Sequence, residues 1–384
     1  MPRPAKTRAL LRLAPLVLLV ACEPLCTSWP QRQELPVLVK AGAVAPPAPE
    51  PLVLKVMTWN VKYGAGRIDF WFDLWGDRTE MTEGEVAGNL QGLYTLINEV
   101  DPDILVTNEI EVGSKRSAYF DMVRGILDNT RLGWAAYTPV WQSRFVPTEG
   151  VGRMDMGNCV FSRFPIVRSE RISQADRTDQ DPLTRSFYLH RAVGRAEVDV
   201  GGRRLAVFAV HTEAYDQDGT NARQQEQILE LMRGESLPFV MAGDLNAIPP
   251  GTLRTSRFND EAPESLGTDF EQPPYDPDDL LPFFREFVDA IGLAHYGTTE
   301  VEQRRFYTHS VIGRERTGSN GEPGFWSRRL DYLFVRPPDR WEGADVLQLP
   351  GRGVGLTASG RGIGSDPMLL SDHCPVVGLW EVLR

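Results

Sequence analysis

The chain has only four cysteines in 384 residues, too few for a disulfide scaffold. Basic residues do not exceed acidic ones: 41 Lys and Arg stand against 52 Asp and Glu, for a formal charge of −11, so the chain is no dedicated polyanion binder. There is no series of long apolar runs, which excludes a multi-span membrane protein, and no collagen-like repeat. No internal period or charge block divides the chain. Paired thiols and clustered histidines are also missing, which argues against structural zinc.

What is present begins with an address. Arg3, Lys6, Arg8 and Arg12 precede an uncharged stretch from Leu13 to Ala21, the n-region and h-region of an export signal. That stretch ends in Leu19-Val20-Ala21-Cys22, which resembles a bacterial lipobox whose cysteine is lipidated before cleavage. Residues 1–21 are therefore expected to be a lipoprotein signal peptide, with Cys22 as the lipidated first residue of an exported, membrane-anchored chain. An ordinary secretory signal, with Cys22 and Cys26 left to pair, is the alternative. Loss of the signal takes the formal charge from −11 to −15. Residues 22–52 include Pro46-Pro47-Ala48-Pro49-Glu50-Pro51 and no apolar period, so they read as an extended tether holding the body off the membrane.

From residue 53 to 384 short Val-, Ile- and Phe-rich runs alternate with amphipathic stretches, the pattern of one large α/β domain. Cys159 and Cys374 sit in apolar runs and read as buried free thiols. Two segments look inserted. Gly64 to Gly84 carries Phe70, Trp71, Phe72 and Trp75, suited to a lipid-facing lip, a base-stacking platform or plain packing. Asn259 to Asp279 is acidic and proline-rich and reads as a solvated loop.

The chemistry lies where polar residues interrupt apolar strands. Asn60 ends Val56-Met57-Thr58-Trp59, Glu109 ends Ile104 to Asn108, and Asp244 with Asn246 ends Phe239 to Gly243. Asp331 enters Tyr332 to Val335, and Asp372-His373 precedes Cys374 to Val377. Each alone is readable as a turn cap. Carboxylates and amides are cheaply solvated at a sheet's rim and costly in its core, so the repetition implies converging strand ends. Oxygen ligands of this kind suit a hard cation such as Mg²⁺ or Mn²⁺.

These residues resemble the endonuclease/exonuclease/phosphatase superfamily. The resemblance rests on Thr58-Trp59-Asn60-Val61, Asp103-Ile104-Leu105 through Glu109, Gly157-Asn158, Val210-His211-Thr212, Gly243-Asp244-Leu245-Asn246, Arg329-Leu330-Asp331-Tyr332 and Ser371 to Val376. It implies a four-layer α/β sandwich, two packed mixed β-sheets flanked by helices, of deoxyribonuclease type. It implies Glu109, Asn60 and Asp372 as metal ligands, and His373 as the imidazole that accepts a proton from the attacking water or orients it, held by Asp331. Asp244 and Asn246 would position the nucleophile and a phosphate oxygen. His211, Asn158 and Arg191 would reach phosphoryl oxygens. The sequence departs from the pattern at Asn108, Glu213 and Lys62, the last standing where some nucleases of the group carry an acid.

The implied activity is metal-dependent hydrolysis of a phosphodiester by in-line water attack, in a monomer. Three readings of its use are open: an extracytoplasmic nuclease, which is placed first; a phospholipase C-like or sphingomyelinase-like phosphodiesterase or phosphatase; and a surface lipoprotein that only binds. Arg314 to Arg316 and Arg328-Arg329 are candidate phosphate-backbone contacts, or simply solvated loop arginines. His190 adjoins Arg191, while His295 and His309 carry no motif and read as surface or satisfied core residues.

Overall fold

A computed structural model describes residues 28–147, 150–215, 217–268 and 271–383. The signal segment and Cys22 lie outside the described residues. Numbered in chain order, the strands are β1 (Arg32–Glu34), β2 (Leu38–Val39), β3 (Val53–Asn60), β4 (Ile104–Glu111), β5 (Trp134–Val146), β6 (Gly152–Ser162) and β7 (Ile166–Ser173). They continue with β8 (Ala192–Val200), β9 (Arg203–His211), β10 (Phe239–Asp244), β11 (Val288–Asp289), β12 (Asp331–Val335), β13 (Arg340–Val346) and β14 (Val376–Glu381). Two seven-stranded mixed sheets result, in the orders β13-β14-β3-β4-β6-β5-β2 and β1-β7-β8-β9-β10-β12-β11.

Strand alternation decides which side chains meet between the sheets. Val56, Val106, Val207, Val240 and Leu333 enter a shared core between them. Their neighbours Met57 and Leu105 point outward, under the helices Glu83–Val100 and Met122–Asn129, while Phe208 and Met241 pack beneath the helix Thr220–Gly234. The layers are therefore helix, sheet, sheet, helix, as the resemblance implies. The first helix starts at a capping box in which Thr82 and Glu85 exchange hydrogen bonds, satisfying otherwise unpaired amides.

Residues 28–52 differ from the expected tether. Arg32–Glu34 pairs with β7 and Leu38–Val39 with β5, so this segment adds an edge strand to each sheet. Its backbone groups find ladder partners on open sheet edges, an attraction that composition does not display. Cys159 and Cys374 are buried free thiols in separate core clusters, as expected.

Candidate active site

Register brings the polar strand ends to one rim. β3 runs parallel to β4 with Asn60 opposite Asn108, and β9 runs parallel to β10 with His211 opposite Asp244. β12 and β14 run the other way, so their first residues reach the same edge. Asp331 opens β12 directly opposite Asp244, and Asp372-His373 leads into β14, which pairs with β3. Gly243 makes the last step of β10 possible. Its φ is +143°, and a Cβ there would lie 2.0 Å from the Val210 carbonyl oxygen.

Glu109 reaches the rim through a bulge. Thr107 pairs with Cys159 and Ile110 with Gly157, so Asn108 and Glu109 together face Asn158 alone. Glu109 takes a left-handed φ of +56°, which re-aims its carboxylate. Asn108 ties the two sheets together at this point. It donates through Nδ2 to Asn158 Oδ1 at 2.9 Å and to Val210 O at 2.8 Å, and accepts from the Asp244 amide at 3.2 Å.

The ionisable groups of the rim are strung together. His373 Nδ1 is 2.7 Å from Asp331 Oδ2, and His373 Nε2 is 3.6 Å from Asp244 Oδ2. Burial alone would lower the His373 pKa, but Asp331, Asp244 and Asp372 outweigh it and hold the ring up to about 10. Burial pushes Asp244 up to about 7, against the pull of His373. His211 sits 3.6 Å from Asp244 and 3.9 Å from Glu109. Burial and the neighbouring Arg191 and His373 hold its pKa well below the ordinary value, so its ring is neutral.

Of the expected metal ligands, Glu109 and Asp372 fit. Burial first, then repulsion from Asp372, raises the Glu109 pKa, a strain that a cation between them would relieve. Asn60 enters differently: its Nδ2 donates to Glu109 Oε1 at 3.0 Å, and its Oδ1 accepts from the Lys62 amide at 3.1 Å. It orients Glu109 and keeps a single oxygen lone pair for a cation. Asp244, Asp331 and His373 also offer ligand atoms within 4.8 Å of one another. That trio is better read as a proton network, because Nδ1 of the imidazole is already engaged and a hard cation favours the oxygen-only set.

Asn158 and Arg191 are buried with donors that make no hydrogen bond to protein, Asn158 Nδ2 and Arg191 Nη1, and Arg191 Nε has only the longer approach to Glu213. Such orphans are costly unless a ligand oxygen takes them. Arg191 lies 3.6 Å from Glu213, which gives that unusual acid a partner. Asn246 braces Asp244 through its backbone amide, which donates to Asp244 Oδ1 at 2.8 Å, and its Nδ2 donates to the Thr212 carbonyl at 3.0 Å, which leaves Oδ1 and a second N–H of the half-buried side chain facing the rim.

Two features escape sequence reading. His309 is buried, with its ring 4.5 Å from that of His373 and Nδ1 3.8 Å from Asp260. Asp260, inside the expected solvated loop, is itself buried and pairs with Arg328 at 2.8 Å. No local pattern marks these residues, since they meet only when distant loops fold over the rim. His190 instead makes a surface contact with Asp176, and His295 is exposed.

Two mixed sheets, outer helices and a polar rim of this kind define a deoxyribonuclease-like α/β sandwich. The model of the endonuclease/exonuclease/phosphatase family matches residues 57–373, and the chain belongs to that family. No curated protein matches the sequence. An endonuclease/exonuclease/phosphatase from Beutenbergia cavernae superposes with a TM-score of 0.51 at 19% identity, over 86% of this chain and 72% of its own. A family member from Bacteroides vulgatus gives 0.49 at 12% identity, over 86% and 99%. A mannosyl-6-phosphatase of Bacteroides thetaiotaomicron gives 0.48 at 15% identity, over 85% and 99%. The first of these likenesses bears on the fold alone.

Proposed function

We propose that the protein is a divalent-metal-dependent hydrolase that breaks a phosphoester by in-line attack of water. The observation that carries this reading is Asp244, a buried carboxylate with a pKa near 7, set between His373 and His211 and beside Glu109. A group of that pKa both holds and releases a proton at neutral pH, as a general base must. His373, cationic in this setting, then stabilises charge on the phosphoryl oxygens, together with the donors of His211, Asn158 and Arg191. Mg²⁺ or Mn²⁺, held by Glu109 and Asp372, would supply Lewis acidity and charge neutralisation.

Ion pairing favours a small or head-group phosphoester over a nucleic acid, reversing the order reached from sequence. The arginines that would meet a phosphate backbone are engaged: Arg314 with Asp366, Arg316 with Asp69, Arg328 with Asp260 and Arg329 with Asp289. Backbone binding depends on free Lys and Arg, and the net charge opposes it. Parallel assays on plasmid DNA, RNA, sphingomyelin and a phosphomonoester test this. EDTA should abolish turnover, Mg²⁺ or Mn²⁺ should restore it, and nucleic acids should be the poorer substrates. Chelator-resistant hydrolysis would reject the metal reading, and preferential DNA or RNA cleavage would reinstate the nuclease.

We further propose an exported monomer anchored through Cys22. Among the described residues no helix is long and apolar enough to cross a membrane, so anchoring would rest on the lipid. Because Pro30 and Gln31 already bond to Ser173 of β7, the eight residues from Cys22 to Trp29 set the reach, at most about 28 Å. Cys22→Ala should move the protein from the membrane to the soluble fraction, and unchanged fractionation would refute the anchor.

A further inference from the structure

The aromatic insertion acquires a purpose from what it carries. Phe70 is fully buried, with its ring 5.2 Å from Tyr63 edge-on and 5.7 Å from Phe72 in a stack. Trp75 donates through Nε1 to the Asp260 carbonyl at 2.8 Å, pinning the far end. Between these anchors lies the turn Trp71–Asp73, which brings Asp73 Oδ2 to 2.9 Å from Lys62 Nζ. On its other side the same ammonium faces Asp372 Oδ2 at 3.7 Å. Both side chains of the Lys62–Asp73 pair are buried, at 2% and 6% exposure, so solvent screens this ion pair little.

The cluster is thereby divided. On the Asp73 side of Asp372 a fixed positive charge already stands between two carboxylates. On the Glu109 side the carboxylate meets the Asn60 amide and the His211 ring, His373 and Arg116 act on it only from farther off, and among the described residues no lysine or arginine pairs with it. A divalent ion held by Asp372 and Asp73 would have to displace Nζ, whereas Lys62 makes no ion pair with Glu109.

We propose that Lys62 is a resident cation standing in for a second metal, so that the site takes one divalent ion, on the Glu109–Asp372 side. This inference rests on the metal-dependent reading of the site. Replacing Lys62 by a neutral residue leaves Asp73 without its ion-pair partner and removes one of the cations that face Asp372, beside Arg67 and His373, so a second cation becomes favourable there. Removing Asp73 as well cancels that demand.

Mn²⁺ titration of the full chain, by calorimetry and by the electron paramagnetic resonance of free Mn²⁺, tests the proposal without recourse to activity. The wild type should bind one ion per chain, Lys62→Met two, and Lys62→Met/Asp73→Asn one. Two ions in the wild type, or one in a folded Lys62→Met, would overturn the inference while leaving the hydrolase reading intact. No bound ion in the wild type would overturn both. Should Lys62→Met fail to fold, the wild-type stoichiometry still decides.

Discussion

His373 Nδ1 and Asp331 Oδ2 lie 2.7 Å apart, joined across 42 residues of chain, with both side chains at 5% exposure or less. The contact fixes which ring nitrogen is left for chemistry: Nε2, turned toward Asp244. An aspartate so placed both orients the imidazole and favours its cationic form.

Asp331→Asn keeps the shape of this contact and removes its charge. We expect kcat to fall by about a hundredfold or more with KM nearly unchanged, because the lost effect belongs to the transition state. The basic limb of the pH profile should also move to lower pH. Steady-state kinetics across the pH range, at saturating metal, checks both. A kcat within about threefold of wild type would remove Asp331 from the mechanism.

Asp244 links activity to stability. Its proton leaves near 3.8 in the unfolded chain and at about 7 in the folded one, so the folded state holds the extra proton between those values. The contribution of Asp244 to stability therefore falls as pH rises from about 4 to 7 and is gone above. The raised His373 pKa adds a second decline between its ordinary 6.5 and about 10. Asp244→Asn should flatten the first decline while nearly abolishing turnover. Melting temperatures in EDTA at pH 4.5 and 7.5 measure this, and a wild-type-sized drop in the variant would contradict the assignment.

Arg329 donates through Nη2 to both carboxylate oxygens of Asp289, at 2.7 and 2.9 Å, and neither side chain is exposed. Asp289→Ala strands a buried guanidinium, for a cost of about 3–5 kcal/mol. Denaturant unfolding should show that loss, with KM for the surviving folded enzyme unchanged. A raised KM with intact stability would instead restore Arg329 to substrate binding.

Much of the site was legible in the sequence because its residues stand at strand ends, where an acid or amide breaking an apolar run is conspicuous. Asn60, Glu109, Asp244, Asp331 and His373 all carry that mark, and all reach one rim. Arg328 and Arg329 show the limit of such reading. A loop arginine beside a candidate catalytic acid looks available, yet Asp260 and Asp289, each at least 40 residues away, consume the two charges.

Alternation of apolar residues and the order of strands and helices determined the layers, because each face has to be buried somewhere. Tertiary structure decided which groups share a low-dielectric pocket, and with that their charge. Asp244 holds its proton up to about pH 7 through burial, Lys62 gains a buried partner when the insertion delivers Asp73, and Asn108 ties the sheets through a bulge that arises only on pairing with β6. Such long-range couplings depend on distances in space, which no local window of residues encodes.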